Sequence, residues 1–98
     1  MEEALVKRVM PNSIDAEKAV LGSMLLDKEA VASAIEVLDK NDFYSKAYGT
    51  VFECMVELFN EGKPIDLVLI QNKLVEKQVP PDITSLDFFR GIMDSVPT

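Results

Sequence analysis

Histidine is absent from the 98 residues, which removes the commonest general base and the commonest metal ligand at neutral pH. A single cysteine, Cys54, excludes a disulfide framework and a cysteine metal cluster. With no histidine to activate it, Cys54 reads as a small buried hydrophobe and not as a nucleophile. The four glycines, Gly22, Gly49, Gly62 and Gly91, are scattered and build no phosphate-cradling loop. No apolar run approaches the ~18–20 residues needed to span a bilayer, and the start lacks a signal-peptide hydrophobic segment. A cytoplasmic protein without a membrane partner is expected. Positive charge is also scarce: ten Lys and Arg against seventeen Asp and Glu leave a net charge of −7. That is the wrong sign for holding a nucleic-acid backbone by neutralising phosphates. Lys7-Arg8 is the only adjacent basic pair, so little or no direct nucleic-acid binding is expected.

What is present is a helical pattern. Hydrophobic residues at 48% and charged residues at 28% fit a globular domain. A chain of this size buries only about 60–65% of its unfolded surface, enough for one modest core without a large internal cavity. Residues 1–10 read as a leader with Val6, Val9 and Met10 as its few anchors, and residues 11–98 as one helical domain. Pro11-Asn12 breaks the chain before Ser13, which is placed to cap a first helix running to Leu26. Its small residues Ala16, Ala19, Gly22 and Ser23 alternate with Val20, Leu21, Met24 and Leu25, so one side can approach a neighbour closely. Glycine inside a helix costs about 1 kcal/mol relative to alanine, and close packing is the expected reason for Gly22 and Gly49.

Asp27 is placed to cap a second helix carrying Val31, Ile35 and Leu38. Lys40-Asn41-Asp42 is a polar break. Ser45 then opens the strongest helix, where Tyr48, Val51, Phe52, Met55, Leu58 and Phe59 form one apolar face. Gly62 and Pro64 end it. Asp66 caps a fourth helix with Leu67, Ile70 and Leu74 inward and Asn72, Lys73, Glu76 and Lys77 outward, and Pro80-Pro81 stops it. Thr84 with Asp87 resembles a capping box for a fifth helix bearing Leu86, Phe89, Ile92, Met93 and Val96. The expected fold is all-α, a compact orthogonal bundle of about five helices. The end at Val96-Pro97-Thr98, with no cap or polar tail, reads as a cut within a longer protein.

Few residues stand out as sites. Asp15, Glu17, Asp66 and Asp87 lie at helix starts, where capping and the helix dipole account for them. Phe88 and Phe89 are about 100° apart on a helix and cannot both point at one small core. One is expected to cover the core edge, or else to serve as an exposed anchor for a partner. Leu86, Phe88 and Phe89 are therefore the candidate partner-interface residues; no catalytic, cofactor-binding or metal-ligating residue is identified.

The segment Pro11-Asn12-Ser13-Ile14-Asp15-Ala16-Glu17-Lys18-Ala19-Val20-Leu21-Gly22 resembles the opening of the N-terminal domain of bacterial or phage replicative DNA helicases of the DnaB type. Asp42-Phe43-Tyr44, the helix with Val51, Phe52 and Met55, and Gly62-Lys63-Pro64-Ile65-Asp66 keep the family's order. Val96-Pro97-Thr98 resembles its Pro-Ser/Thr turn. Tyr48 stands where the family often has histidine, Leu69 where it has threonine, Thr84-Ser85 where it reads Gly-Gly, and Phe88-Phe89 where it reads Tyr-Leu. Pro80-Pro81 replaces a more polar, glycine-containing turn.

The resemblance implies a non-catalytic helical collar module. Its parent would self-associate in a hexamer ring and bind the primase C-terminal domain, with a helicase loader as a further partner. ATP and Mg²⁺ would belong only to a downstream motor domain. The helical hairpin that supplies much of the pairing and primase surface would begin past Thr98, so these 98 residues are expected to assemble weakly. Two other classes compete: a small helical DNA-contacting domain of a replication protein, which the acidic balance disfavours, and a small enzyme, disfavoured by the missing histidine.

Overall fold

The computed structural model describes residues 14–96. The expectations for the leader, for Ser13 as a helix cap and for the Pro97-Thr98 turn lie outside those residues. The regular secondary structure of the described residues is all helical, with no strand among them. The helices are α1 (Ile14–Leu26), α2 (Lys28–Val37), α3 (Lys46–Asn60), α4 (Leu67–Glu76), α5 (Pro81–Thr84) and α6 (Leu86–Asp94), with a 3-10 turn at Lys40–Asp42.

Side-chain caps set most of the helix starts. The Asp27 carboxylate accepts the Glu29 N–H at 2.9 Å. Ser45 Oγ accepts the Tyr48 N–H at 3.2 Å, and Asp66 accepts the Val68 N–H at 2.7 Å. Each satisfies an amide that has no partner inside its own helix. The polar break is a 3-10 turn closed by a reciprocal box: Asp39 accepts the Asn41 N–H, and Asp42 accepts the Asp39 N–H. Gly62 leaves α3 with φ +72, the left-handed conformation that glycine adopts without a Cβ penalty.

The chain differs from its sequence reading around the fifth predicted helix. Pro81 occupies the first position of the short helix α5, where its missing N–H costs nothing. The cap of α6 is Ser85, not Thr84: Ser85 Oγ accepts the Phe88 N–H at 3.1 Å. The Thr84/Asp87 box does not form, because Thr84 closes α5 by donating to the Pro81 carbonyl.

Phe52, Phe89, Leu21, Met24, Met55, Leu58, Ile70, Leu74 and Ile92 form the centre of the core. The inner face of α3 runs from Tyr48 through Leu58, with Cys54 fully buried among it. Phe59 is in phase with that face but 44% exposed. It lies in the last turn of α3, which ends at Asn60.

Small residues permit two close approaches. Helix α1 packs chiefly on α6 and α2. A Cβ on Gly22 would meet the Ile92 carbonyl oxygen at 2.7 Å and collide with Val96 Cγ2. A Cβ on Gly49 would meet the Lys40 carbonyl oxygen at 2.6 Å, so Gly49 lets the 3-10 turn lie against α3.

Candidate functional site

The three candidate interface residues separate into three environments along one turn. Leu86 follows directly on the Ser85 cap and is 63% exposed. Phe88 is half-buried, its ring 5.7 Å from that of Tyr48 and edge-on to Phe89 at 5.3 Å. Phe89 is 0% exposed and belongs to the core. The aromatic pair is therefore resolved: Phe89 supplies the core and Phe88 covers its edge, which leaves Phe89 with no surface for a partner. Leu86, with Asp87, Arg90 and Gly91 on the open side of α6, forms the accessible part.

Glu17 departs from the expected dipole role. It is only 8% exposed. Its two oxygens accept the backbone N–H groups of Tyr44 at 2.6 Å and Ser45 at 3.2 Å. A carboxylate on α1 thus fixes the entry of α3. No periodicity signals this, because the partner lies far along the chain. Burial, with Glu17 and then Asp15 adding repulsion, pushes the Tyr48 phenol pKa up and keeps it neutral.

Lysines and glutamates alternate along the seam of α3 and α4. Lys40 pairs with Glu53 at 2.9 Å, Glu53 with Lys77 at 3.6 Å, and Lys77 with Glu57 at 2.8 Å. Glu57 continues to Lys73 at 3.3 Å, Lys73 to Glu61 at 3.0 Å, and Glu61 to Lys63 at 3.3 Å. The hydrogen bond from Lys77, and then that from Lys73, holds the Glu57 carboxyl below its usual pKa. The i, i+4 spacing of Glu53, Glu57 and Glu61, facing Lys73 and Lys77, is the signal in the sequence that marks this ladder. The ladder, with the Arg90–Asp87 pair at 3.9 Å, occupies most of the described cations. What remains is a surface of excess carboxylate with little free positive charge.

Two open clefts flank the Lys40–Glu53 pair. One of about 330 Å³ is walled by Ile35, Leu38, Phe52 and Val56. The other, of about 400 Å³, is lined by Tyr44, Lys46, Gly49 and Thr50. Neither gathers a nucleophile beside a base. The Cys54 thiol is buried, and that burial pushes its pKa up to about 11. Among the described residues no group of three or more His, Cys, Asp or Glu is placed to hold a metal ion. No helix of the described residues is long and apolar enough to cross a membrane.

The family model described as the DnaB-like helicase N terminal domain matches residues 9–98. The chain belongs to this family. The replicative DNA helicase DnaB of Geobacillus stearothermophilus is 36% identical over 98 residues, all of this chain and 22% of the relative. The replicative DNA helicase DnaC of Bacillus subtilis is 34% identical over the same share of each. The crystal structure of the N-terminal domain of DnaB helicase from Mycobacterium tuberculosis superposes with a TM-score of 0.82 at 33% identity. That match covers 90% of this chain and 61% of the other. The chain thus spans about a fifth of the curated relatives' length. It corresponds to the N-terminal domain of a DnaB-type helicase, and the motor domain is not among these 98 residues.

Proposed function

We propose that this DnaB-type N-terminal domain is a non-catalytic assembly and docking module. In its parent helicase it contributes to the collar of a hexamer in the bacterial cytoplasm and receives the C-terminal domain of primase. The observation that carries the reading is the match of residues 9–98 to the DnaB-like helicase N terminal domain, alongside relatives named as replicative helicases of whose length the chain covers about a fifth. The site chemistry agrees with it. The clefts hold no catalytic grouping, and four of the seven described lysines, Lys40, Lys63, Lys73 and Lys77, are engaged in internal pairs instead of facing a phosphate backbone. ATP and Mg²⁺ serve the motor of the parent, and a helicase loader is a further partner of the same assembly.

The test uses this chain extended through the next helical pair of its parent. Light scattering behind size exclusion should show self-association, and calorimetry should show binding of the cognate primase C-terminal domain. Leu86→Glu should weaken one of these without altering thermal stability. An extended protein that stays monomeric and ignores primase at high micromolar concentration overturns the proposal. Binding of DNA at moderate salt would favour the DNA-contacting reading instead.

A further inference from the structure

Helix α4 rests on a narrow base. Its principal contacts are with α3 and with α5, and α5 is a single turn, so among the described residues α3 is the long helix on which it chiefly rests. It fully buries two side chains, Ile70 and Leu74. Leu67 and Leu69 are only partly buried against the core, and Gln71 donates to the Thr84 carbonyl at 2.6 Å. The outer side of the seam is the lysine–glutamate ladder, in which the Lys73 and Lys77 side chains are 17% and 29% exposed. Residues with positive φ bracket the helix: Gly62 at +72 before it and Gln78 at +62 after it. At Gln78 the left-handed conformation carries a Cβ penalty that a glycine would not.

Cys54 adjoins Glu53, whose carboxylate reaches Lys77 of α4 at 3.6 Å. It sits on α3 between Glu53 and Glu57 and is fully buried. After burial itself, the charges that act on its thiol are Lys77, Glu57, Glu53 and Lys73, the members of the ladder.

We propose that α4 is a strap that undocks from α3 as a unit, with the Lys40–Lys63 ladder as its ionic latch, uncovering Cys54 while α1, α2, α3 and α6 stay packed. Elements with few buried apolar contacts open at lower free energy than the whole domain. Isolated surface pairs contribute little, whereas a network of partly covered lysines contributes collectively. Salt separates the two holding forces: the Debye length falls from about 30 Å at 0.01 M to about 3 Å at 1 M, while burial of Ile70 and Leu74 is not weakened by NaCl. Undocking presents an apolar strip of α3 that the closed domain hides, and ionic strength sets how often it is presented. The inference is independent of the collar-and-primase reading.

The experiment alkylates the 98-residue chain with neutral iodoacetamide under native conditions, followed by mass spectrometry. Only the uncovered thiolate attacks the reagent, forming the carbon–sulfur bond as iodide leaves. Labelling should run at least about tenfold faster than global unfolding, measured in urea on the same protein, allows. It should accelerate on the order of 3- to 10-fold between about 0.02 M and about 0.5 M NaCl. Lys77→Met, which keeps the aliphatic stem, should label fast at low salt and lose most of the salt response. Native-state hydrogen exchange of the wild type gives an independent reading: α4 amides should open together and more readily at high salt than those of α1. Labelling that tracks global unfolding at both salts, or α1 and α4 amides that share one opening equilibrium, overturns the proposal.

Discussion

The carboxylate of Glu17, in the first turn of α1, accepts the backbone N–H of Tyr44 at 2.6 Å and that of Ser45 at 3.2 Å. The segment that leads into the longest helix is thus held by a residue from the first. Removing the acceptor strands two partly buried amides, and each such loss costs about 1–3 kcal/mol. Glu17→Ala should therefore destabilise the domain by about 2–4 kcal/mol in urea denaturation. Glu17→Gln, which retains one acceptor oxygen, should fall between the two. A change below about 0.5 kcal/mol for Glu17→Ala would show that these bonds contribute nothing net.

Gly22 and Gly91 should respond oppositely to the same substitution. Both are helical, and alanine in place of a helical glycine ordinarily gains up to about 1 kcal/mol. At Gly91 nothing lies within 4 Å of the added Cβ, so Gly91→Ala should stabilise by about 0.5–1 kcal/mol. At Gly22 the Cβ meets the Ile92 carbonyl oxygen and Val96, and forcing α1 from α6 should cost about 1–3 kcal/mol. Thermal melts of the two variants, read side by side, give the signs directly.

Two phenylalanines on α3 provide a further contrast. Phe52 is fully buried and its ring centre lies 5.1 Å from that of Phe43. Phe52→Ala should cost about 3–5 kcal/mol, enough to unfold a marginal domain. Phe59, although in phase with Tyr48 along the helix, is substantially exposed, and Phe59→Ala should cost less than about 1 kcal/mol. Equal losses in chemical denaturation would contradict the assigned face of α3.

The ladder fixes the pH dependence at both ends of the scale. Hydrogen bonds from Lys77 to Glu57 and from Lys73 to Glu61 hold the carboxyl pKa values below normal. Their stabilisation is complete above the unfolded value of about 4.3 and is lost as pH falls through the lowered folded values. Hydrogen bonds to Glu61 and to Glu57 raise the pKa of Lys73 and Lys77 respectively. That contribution is full below the unfolded value of about 10.4 and is lost as pH rises through the folded ones. Urea midpoints should decline at both extremes, and Glu57→Gln should flatten the acid limb.

Local rules made much of this fold legible along the chain. Asp27, Ser45 and Asp66 cap the helices they precede because a short oxygen-bearing side chain beside free amides acts wherever the chain goes afterwards. The α3 face from Tyr48 to Leu58 follows from the 3.6-residue period, and the family resemblance from the order of these borders. Choices between adjacent residues were not legible. Thr84 and Ser85 are both competent caps, and the position of the short helix α5 gave the role to Ser85. Phe88 and Phe89 are the same residue type, and only the docking of α6 against α1 decided which one fills the core.

What the sequence by itself determined is the helical class, most of the helix borders and the family, since each rests on residues a few positions apart. Tertiary structure decided the roles that depend on distant neighbours. It turned Glu17 from a dipole partner into an acceptor for the start of α3, left Phe59 and Leu86 in solvent, and joined two runs of charge into one ladder. The physical reason is one of range: capping and periodicity act within a turn or two of helix, whereas burial and paired charge exist only once separate helices have met.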